Sequence, residues 1–327
     1  MNLSQVNELE HLFCKLSVAV HKGKGPEKLI ADFEASLSRT LERDWIRLAK
    51  RATRSGMSKF RGSGTRGEIN SINKAIAAAM KPFPTVASAM EKEIAVFYKD
   101  IQKRFIKEFD LEQAVEKASK IPSGDIVFST KDANAIGAIQ RVGTASAGKY
   151  FPEQVAGFVS QVVEQVVLNE GLSTADAAVK LSAELNAALG TGVEQVVPTS
   201  FATNPGNYFE TLAINSSTQA SSMGNLIAMD EAGIEVYEIV AVIDKRTSDI
   251  CRKLDGKKFR VADAMGTVNK VSSAEDPEDL EDVMPFQSRG IGHDGDTIAP
   301  PKWSESGDGF PPYHHRCRTR LVPVVDV

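Results

Sequence analysis

The chain has only three cysteines and five histidines. Two of each fall in a pair of polar clusters near its C-terminal end. The first cluster is Asp244-Lys-Arg-Thr-Ser-Asp-Ile-Cys-Arg-Lys-Leu-Asp-Gly256, and the second is Pro311-Pro-Tyr-His-His-Arg-Cys-Arg318. Thiolate and imidazole are zinc ligands. Cys251, Cys317 and one of His314 or His315 could therefore hold a metal if two strands of one sheet brought the clusters together. The position three residues before Cys251 is Ser248, and serine binds zinc poorly. A fourth ligand would then have to come from His293, Asp244 or the second histidine. The expectation is a metal-free site without cofactor, in which the cysteines pack as small buried residues and the histidines bond to backbone, with zinc as the alternative.

The other polar residues of these clusters invite two readings. Asp244, Arg246 and Thr247 form a polar turn directly after a strand, and Leu254 precedes the turn dipeptide Asp255-Gly256. Asp244 could act as a base or a metal ligand. The favoured reading is structural, with Arg246 as a buried fork reaching Asp255 or a carbonyl. No serine, cysteine or histidine stands beside them in a catalytic spacing, so an enzyme is not expected. The glycine-rich stretch from Arg61 to Gly67 lacks the Gly-Lys-Ser/Thr ending of a phosphate-binding loop. The fragment His293-Asp-Gly-Asp296 lacks the alternating ligands of a calcium loop and reads as a turn.

A third group of residues carries charge. Arg43, Arg47, Lys50, Arg51 and Arg54 recur at three- and four-residue steps, so they share one helix face. Such a face could meet DNA phosphates weakly and without sequence preference, or an acidic protein partner. A solvated helix surface has the same pattern and is the plainer reading.

These residues need elements to position them. Leu29, Phe33, Leu37, Leu41, Trp45 and Leu48 paint one apolar stripe on a long helix that ends near the glycine-rich stretch. After Pro82 and Pro84, Thr85 can cap a second long helix bearing Ile94, Phe97, Tyr98, Ile101 and Phe105. A third helical segment holds Val155, Val159, Val162, Val163, Val166 and Val167; it stops at Gly171, and Ser173 caps a short helix through Ala187. Ile234 to Ile243 is the first run rich in β-branched and aromatic residues, with Lys257 to Val261 and Arg320 to Val325 as shorter strands. Between them, residues 266–312 are crowded with Gly, Pro, Ser and Asp, and read as a long irregular excursion. The expected fold is mainly α with a small C-terminal α+β domain. Its expected divisions are a long-helical region at 1–130, a helical middle at 131–232 and the α+β domain at 233–327.

Composition sets the outer limits. With 327 residues, 42% hydrophobic and 25% charged, the chain is long enough for two or three domains and is neither fibrous nor wholly disordered. A net charge of −4 argues against a surface built to coat nucleic acid, so any DNA contact must be local. The first ten residues lack a basic start and an apolar run, and no stretch approaches the ~20 apolar residues of a membrane helix. Neither a secretory leader nor a membrane contact is expected, and the sparse cysteines suit a reducing compartment.

The order of the C-terminal motifs carries a resemblance. A strand, then Asp-x-Arg-Thr, a cysteine, Leu-Asp-Gly, and finally Pro-Pro-x-His-x-x-Cys-Arg resembles the signature of the phage Mu protein F-like family of minor head, or head-morphogenesis, proteins. Asn169-Glu-Gly-Leu-Ser173, between two helices, is similar to the passage that often precedes that signature. The resemblance implies a minor structural protein of a tailed-phage head, assembled in the host cytoplasm and present in the virion. It also implies association with the portal protein, with scaffold or major capsid protein as further partners, and a part in head assembly, genome packaging or ejection. The rival reading is a metal-assisted hydrolase or effector delivered with the genome, using Asp244, Cys251, His314, His315 and Cys317.

Overall fold

In a computed structural model, residues 26–80, 84–111, 114–115, 129–150, 156–168, 172–188, 205–245, 247–274 and 309–324 are described. They form α1 (Pro26–Met57), α2 (Arg66–Met80), α3 (Pro84–Glu108), α4 (Thr130–Tyr150), α5 (Ala156–Val167), α6 (Thr174–Ala188) and α7 (Pro205–Glu231). Then come β1 (Val236–Val240), α8 (Asp249–Leu254), β2 (Lys258–Arg260), α9 (Val261–Ser273) and β3 (Arg320–Pro323). The protein is mainly α with one small antiparallel sheet near its C-terminal end, as the sequence predicts. The chain packs as two compact units, one drawing on residues 1–36, 91–142 and 213–327, the other on 37–90 and 143–212.

The second of these units buries the apolar stripe of α1 from Leu37 onward, with Leu37, Leu41 and Trp45 fully enclosed. The Trp45 and Phe209 rings sit 6.1 Å apart. Helix α2 buries Ile69, Ile72, Ile76 and Met80, and Asn73 donates to the Ser160 hydroxyl of α5 at 2.9 Å. Helices α5 and α6 pack on one another; α5 buries Val159, Val162, Val163 and Val166, and α6 buries Leu181 and Leu185. Ser173 caps α6, its hydroxyl accepting the Asp176 N–H at 3.1 Å.

The glycine-rich stretch of this unit is folded around a carboxylate. Backbone N–H groups of Arg61, Gly62, Ser63 and Gly64, with the Ser63 hydroxyl, all donate to the Glu68 side chain. Gly62 and Gly64 take positive φ, which turns their N–H groups inward. A Cβ at Gly62 would meet the Thr174 side chain at 2.5 Å, so only glycine fits there. The anion cradle is thus occupied by the chain's own glutamate.

The other unit is organised by α3, α4 and α7. Phe33 stacks on Phe97 with centroids 4.1 Å apart. The Tyr98 hydroxyl and the Gln102 amide both donate to Asp132, at 2.7 and 2.8 Å, and Gln102 also donates to the Gly224 carbonyl. Helix α7 packs against the Tyr98 ring at Gly224, where a Cβ would stand in ordinary contact at 3.5 Å. Asp132 serves the start of α4 as well, accepting from the Ser129 N–H and hydroxyl while Ser129 accepts from the Asp132 N–H. This is a reciprocal capping arrangement.

The sheet has the order β2-β1-β3, with β1 central and antiparallel to both neighbours. Tyr237 faces Phe259 and Pro323, and Ile239 faces Leu321. Tyr237, Ile239, Leu321 and Val322 are buried, as are Val261, Ala264, Met265, Val268 and Val271 of α9.

Several expectations need correction. The excursion does not begin at residue 266, because α9 continues to Ser273. Its apolar residues recur at helical spacing, which outweighs the ~1 kcal/mol cost of Gly266 within it. At the other end of the span, Phe310, Pro311 and Pro312 are buried. The remainder, with the acidic run 275–282, lies outside the described residues. The long strand expected at Ile234–Ile243 is shorter: Val242 and Ile243 leave the sheet and are about half exposed. Helix α3 opens at Pro84 rather than after a Thr85 cap, since proline lacks only an N–H that a first turn does not use.

Candidate metal centre

Cys251 reaches the site from α8, the short helix that follows β1. Ser248 caps that helix by accepting the Cys251 N–H, which spends its hydroxyl on the backbone. Thr247 closes the preceding turn, its hydroxyl accepting the Asp244 N–H at 2.7 Å and donating to the Val242 carbonyl at 2.7 Å. Leu254 is buried beneath α8, and Gly256 takes φ 79° as the chain turns into β2. Asp255 accepts the Ala241 N–H at 2.9 Å, pinning the exit of β1.

His314 and Cys317 arrive on a tight turn that leads into β3, following a cis peptide bond between Pro311 and Pro312. The Cys317 N–H returns to the His314 carbonyl at 3.3 Å, and Arg316 takes φ 59°. Helix α7 holds this turn. Asn215 accepts the Arg316 N–H at 2.9 Å and contacts His315 Nδ1 at 3.1 Å, while the Thr218 hydroxyl donates to the Cys317 carbonyl at 2.6 Å.

The two clusters meet. Cys251 Sγ lies 3.2 Å from His314 Nε2 and 3.7 Å from Cys317 Sγ, and the Thr319 hydroxyl donates to it at 3.0 Å. The three donor atoms of Cys251, His314 and Cys317 all fall within 4.8 Å of one another. His314 Nδ1 sits 2.7 Å from the His315 carbonyl, an N–H donation that leaves Nε2 as the lone-pair nitrogen facing the sulfurs. Cys251 and Cys317 are free thiols and buried.

Neighbouring groups pull the two thiols apart in acidity. Burial is the largest influence on Cys317 and pushes its thiol up. Hydrogen bonds from Cys251, from the backbone at Tyr313 and Thr319 and from the Thr319 hydroxyl outweigh it and bring Cys317 down to about 6. The bond to Cys317 and then burial push the Cys251 thiol well up. The pair thus gives up its first proton far more readily than its second. For His314, burial pushes downward, but the Cys251 sulfur and the His315 carbonyl hold the imidazole above its usual range.

Not all the sequence candidates join this cluster. His315 turns to Asn215 instead. Asp244 pairs with Arg318 at 2.8 Å, and its carbonyl accepts from Arg252 at 2.6 Å. Arg246 and His293–Asp296 lie outside the described residues. Sequence reasoning missed Asn215, Thr218 and Thr319, which position the turn and the Cys251 sulfur. The polar face of α7 held the signal for the first two, since Asn215, Thr218 and Ser222 share helical spacing there.

The same unit holds a mainly apolar groove of about 600 Å³, lined by Ile30, Ile101, Phe105, Val240 and Leu321 among others. Two of its carboxylates are engaged: Glu27 pairs with Arg320 at 2.9 Å and Glu34 accepts from Ser217.

The five basic residues of α1 are all exposed, opposite buried Leu41, Trp45, Leu48, Ala49 and Ala52. Arg43 and Arg47 both approach Asp44, at 3.8 and 3.4 Å, and Arg51 reaches the Ala79 carbonyl at 3.4 Å. Among the described residues no helix is long and apolar enough to cross a membrane.

No curated protein and no solved structure matches the chain. Residues 167–322, which contain both motif clusters and the Cys251–His314–Cys317 triad, match the family model described as phage Mu protein F like protein, the family that the motif order resembles.

Proposed function

We propose that this chain is a minor structural head protein of a tailed bacteriophage. In this reading it attaches at the portal vertex and serves head assembly, genome packaging or ejection. The observation that carries the reading is the family match over residues 167–322. The architecture is compatible with it. Long amphipathic helices offer surface for protein contacts, and Asp244, Thr247, Ser248, Asp255 and Arg318 of the motif clusters hold the fold. Scaffold and major capsid protein are the further partners in this account, with assembly in the host cytoplasm and residence in the virion.

A hydrolytic centre has less support. Such a site needs a nucleophile or bound water open to substrate. Cys251 and Cys317 are 2% and 0% exposed, Asp244 is paired with Arg318, and His315 with Asn215. The experiment is capture by the isolated portal ring of the same phage. Retention of the chain on immobilised portal, and not on major capsid protein alone, supports attachment at the vertex. Failure to bind portal while sedimenting with complete heads would move the contact to the shell.

A further inference from the structure

We propose that Cys251, His314 and Cys317 hold a zinc ion that staples α8 to the turn before β3, with a water as fourth ligand. The inference rests on geometry and stands apart from the head-protein reading. A zinc ion held tetrahedrally at ~2.3 Å from sulfur and ~2.0 Å from nitrogen sets its sulfurs ~3.8 Å apart and sulfur to nitrogen at ~3.5 Å. The sulfurs here are 3.7 Å apart, and Cys251 Sγ is 3.2 Å from His314 Nε2. Both pairs that involve Cys251 therefore need shifts of only a few tenths of an ångström, and the third pair, His314 with Cys317, also lies within 4.8 Å.

Two features of the surroundings favour a ligand set over ordinary packing. Zinc-binding histidines commonly donate their second ring N–H to a carbonyl, which fixes the tautomer and the ring's direction. His314 does this toward His315, and its other nitrogen points at the sulfurs. The Thr319 hydroxyl donates to Cys251 Sγ, as outer hydrogen bonds to a metal thiolate do. The turn that bears His314 and Cys317 is also tied to α7 through Asn215 and Thr218, so the donors are held in place by hydrogen bonds beyond the site.

Binding is ligand exchange without electron transfer. Two S–Zn bonds and one N–Zn bond form, the cysteine S–H protons pass to buffer, and zinc gives up waters of hydration. The ion would link positions 251 and 317 across the intervening chain, lowering the entropy of the unfolded state as a cross-link does.

The test uses the full chain expressed in zinc-supplemented medium and purified under reducing conditions. Elemental analysis should find about one zinc per chain, lost in the Cys251→Ser/Cys317→Ser double variant. Zinc retained by that variant overturns the assignment. Where the variant fails to fold, the wild-type chain decides. Exchange of its metal for cobalt(II) should give the visible bands of tetrahedral cobalt and a near-ultraviolet thiolate charge-transfer band, with His314→Gln altering the visible bands. Zinc-free protein that yields no thiolate–cobalt band, or a Cys251–Cys317 disulfide in protein kept reduced, overturns the proposal.

Discussion

The Arg318 guanidinium lies 2.8 Å from the Asp244 carboxylate, joining the exit of β1 to the entry of β3 beside the Cys251–His314–Cys317 cluster. Both side chains are about one third exposed, so solvent screens the pair. Asp244→Ala and Arg318→Ala should each cost no more than ~1 kcal/mol, with most of that shared in the double variant. Chemical denaturation of the four proteins measures the coupling. A loss of several kcal/mol from Asp244→Ala alone would give this carboxylate a larger part than the ion pair.

Glu68 makes the second unit sensitive to acid. Burial pushes its carboxyl up, but the Ser63 hydroxyl and the backbone N–H groups of Arg61, Gly62 and Ser63 outweigh that and hold it below the ordinary 4.5. A carboxyl depressed on folding adds stability that is fully present above its unfolded value and is lost as pH falls through the folded one. Wild-type stability should therefore decline below about pH 4.5 with a component that Glu68→Gln removes. The variant should already be ~1–3 kcal/mol less stable at neutral pH, because the cradle's donors lose their anion. Equal acid slopes for both proteins would refute this.

Asp132 gathers Tyr98, Gln102 and Ser129 in a buried network that ties α3 to the first turn of α4. Asp132→Ala should destabilise the first unit by ~2–4 kcal/mol, since it strands two buried donors and removes a cap. Hydrogen exchange should show the start of α4 losing protection first. Unchanged exchange in α4 would mean that the cap contributes little.

The basic face of α1 should give weak duplex binding that falls steeply with salt. Each phosphate neutralised adds ~0.9 to the slope of log affinity against log salt, so Arg47→Glu with Arg51→Glu should reduce that slope by about two. Asp44 already offsets part of Arg43 and Arg47, which favours the lower end of the affinity range. An unchanged slope, or no binding at low salt, would return the face to solvent or to an acidic protein.

The sequence made some of this architecture legible and hid the rest for physical reasons. Strong periodicity exposed the apolar stripes of α1 and α3, because Leu37, Leu41 and Trp45 or Ile94, Phe97 and Ile101 have no competing interpretation. Helix α7 is harder to see, since both its apolar and its polar residues are buried: Ser216, Ser217, Gln219 and Ser222 face packed surroundings. Motif order brought Cys251 and Cys317 together on paper. Which histidine joins them depends on the left-handed turn at Arg316 and the Asn215 bonds, neither of which a spacing rule encodes. The arginine that meets Asp244 is Arg318, from the far cluster, because the antiparallel β1–β3 pairing lays those chain ends side by side.

The most direct test of the head-protein account is quantitative mass spectrometry of procapsids and mature heads purified from a phage lysate in which this chain is expressed. The account predicts the chain in both particles, at a few copies beside each portal ring, and absent from procapsids assembled without portal. Its absence from both particles, with the chain remaining in the soluble lysate, would contradict the account.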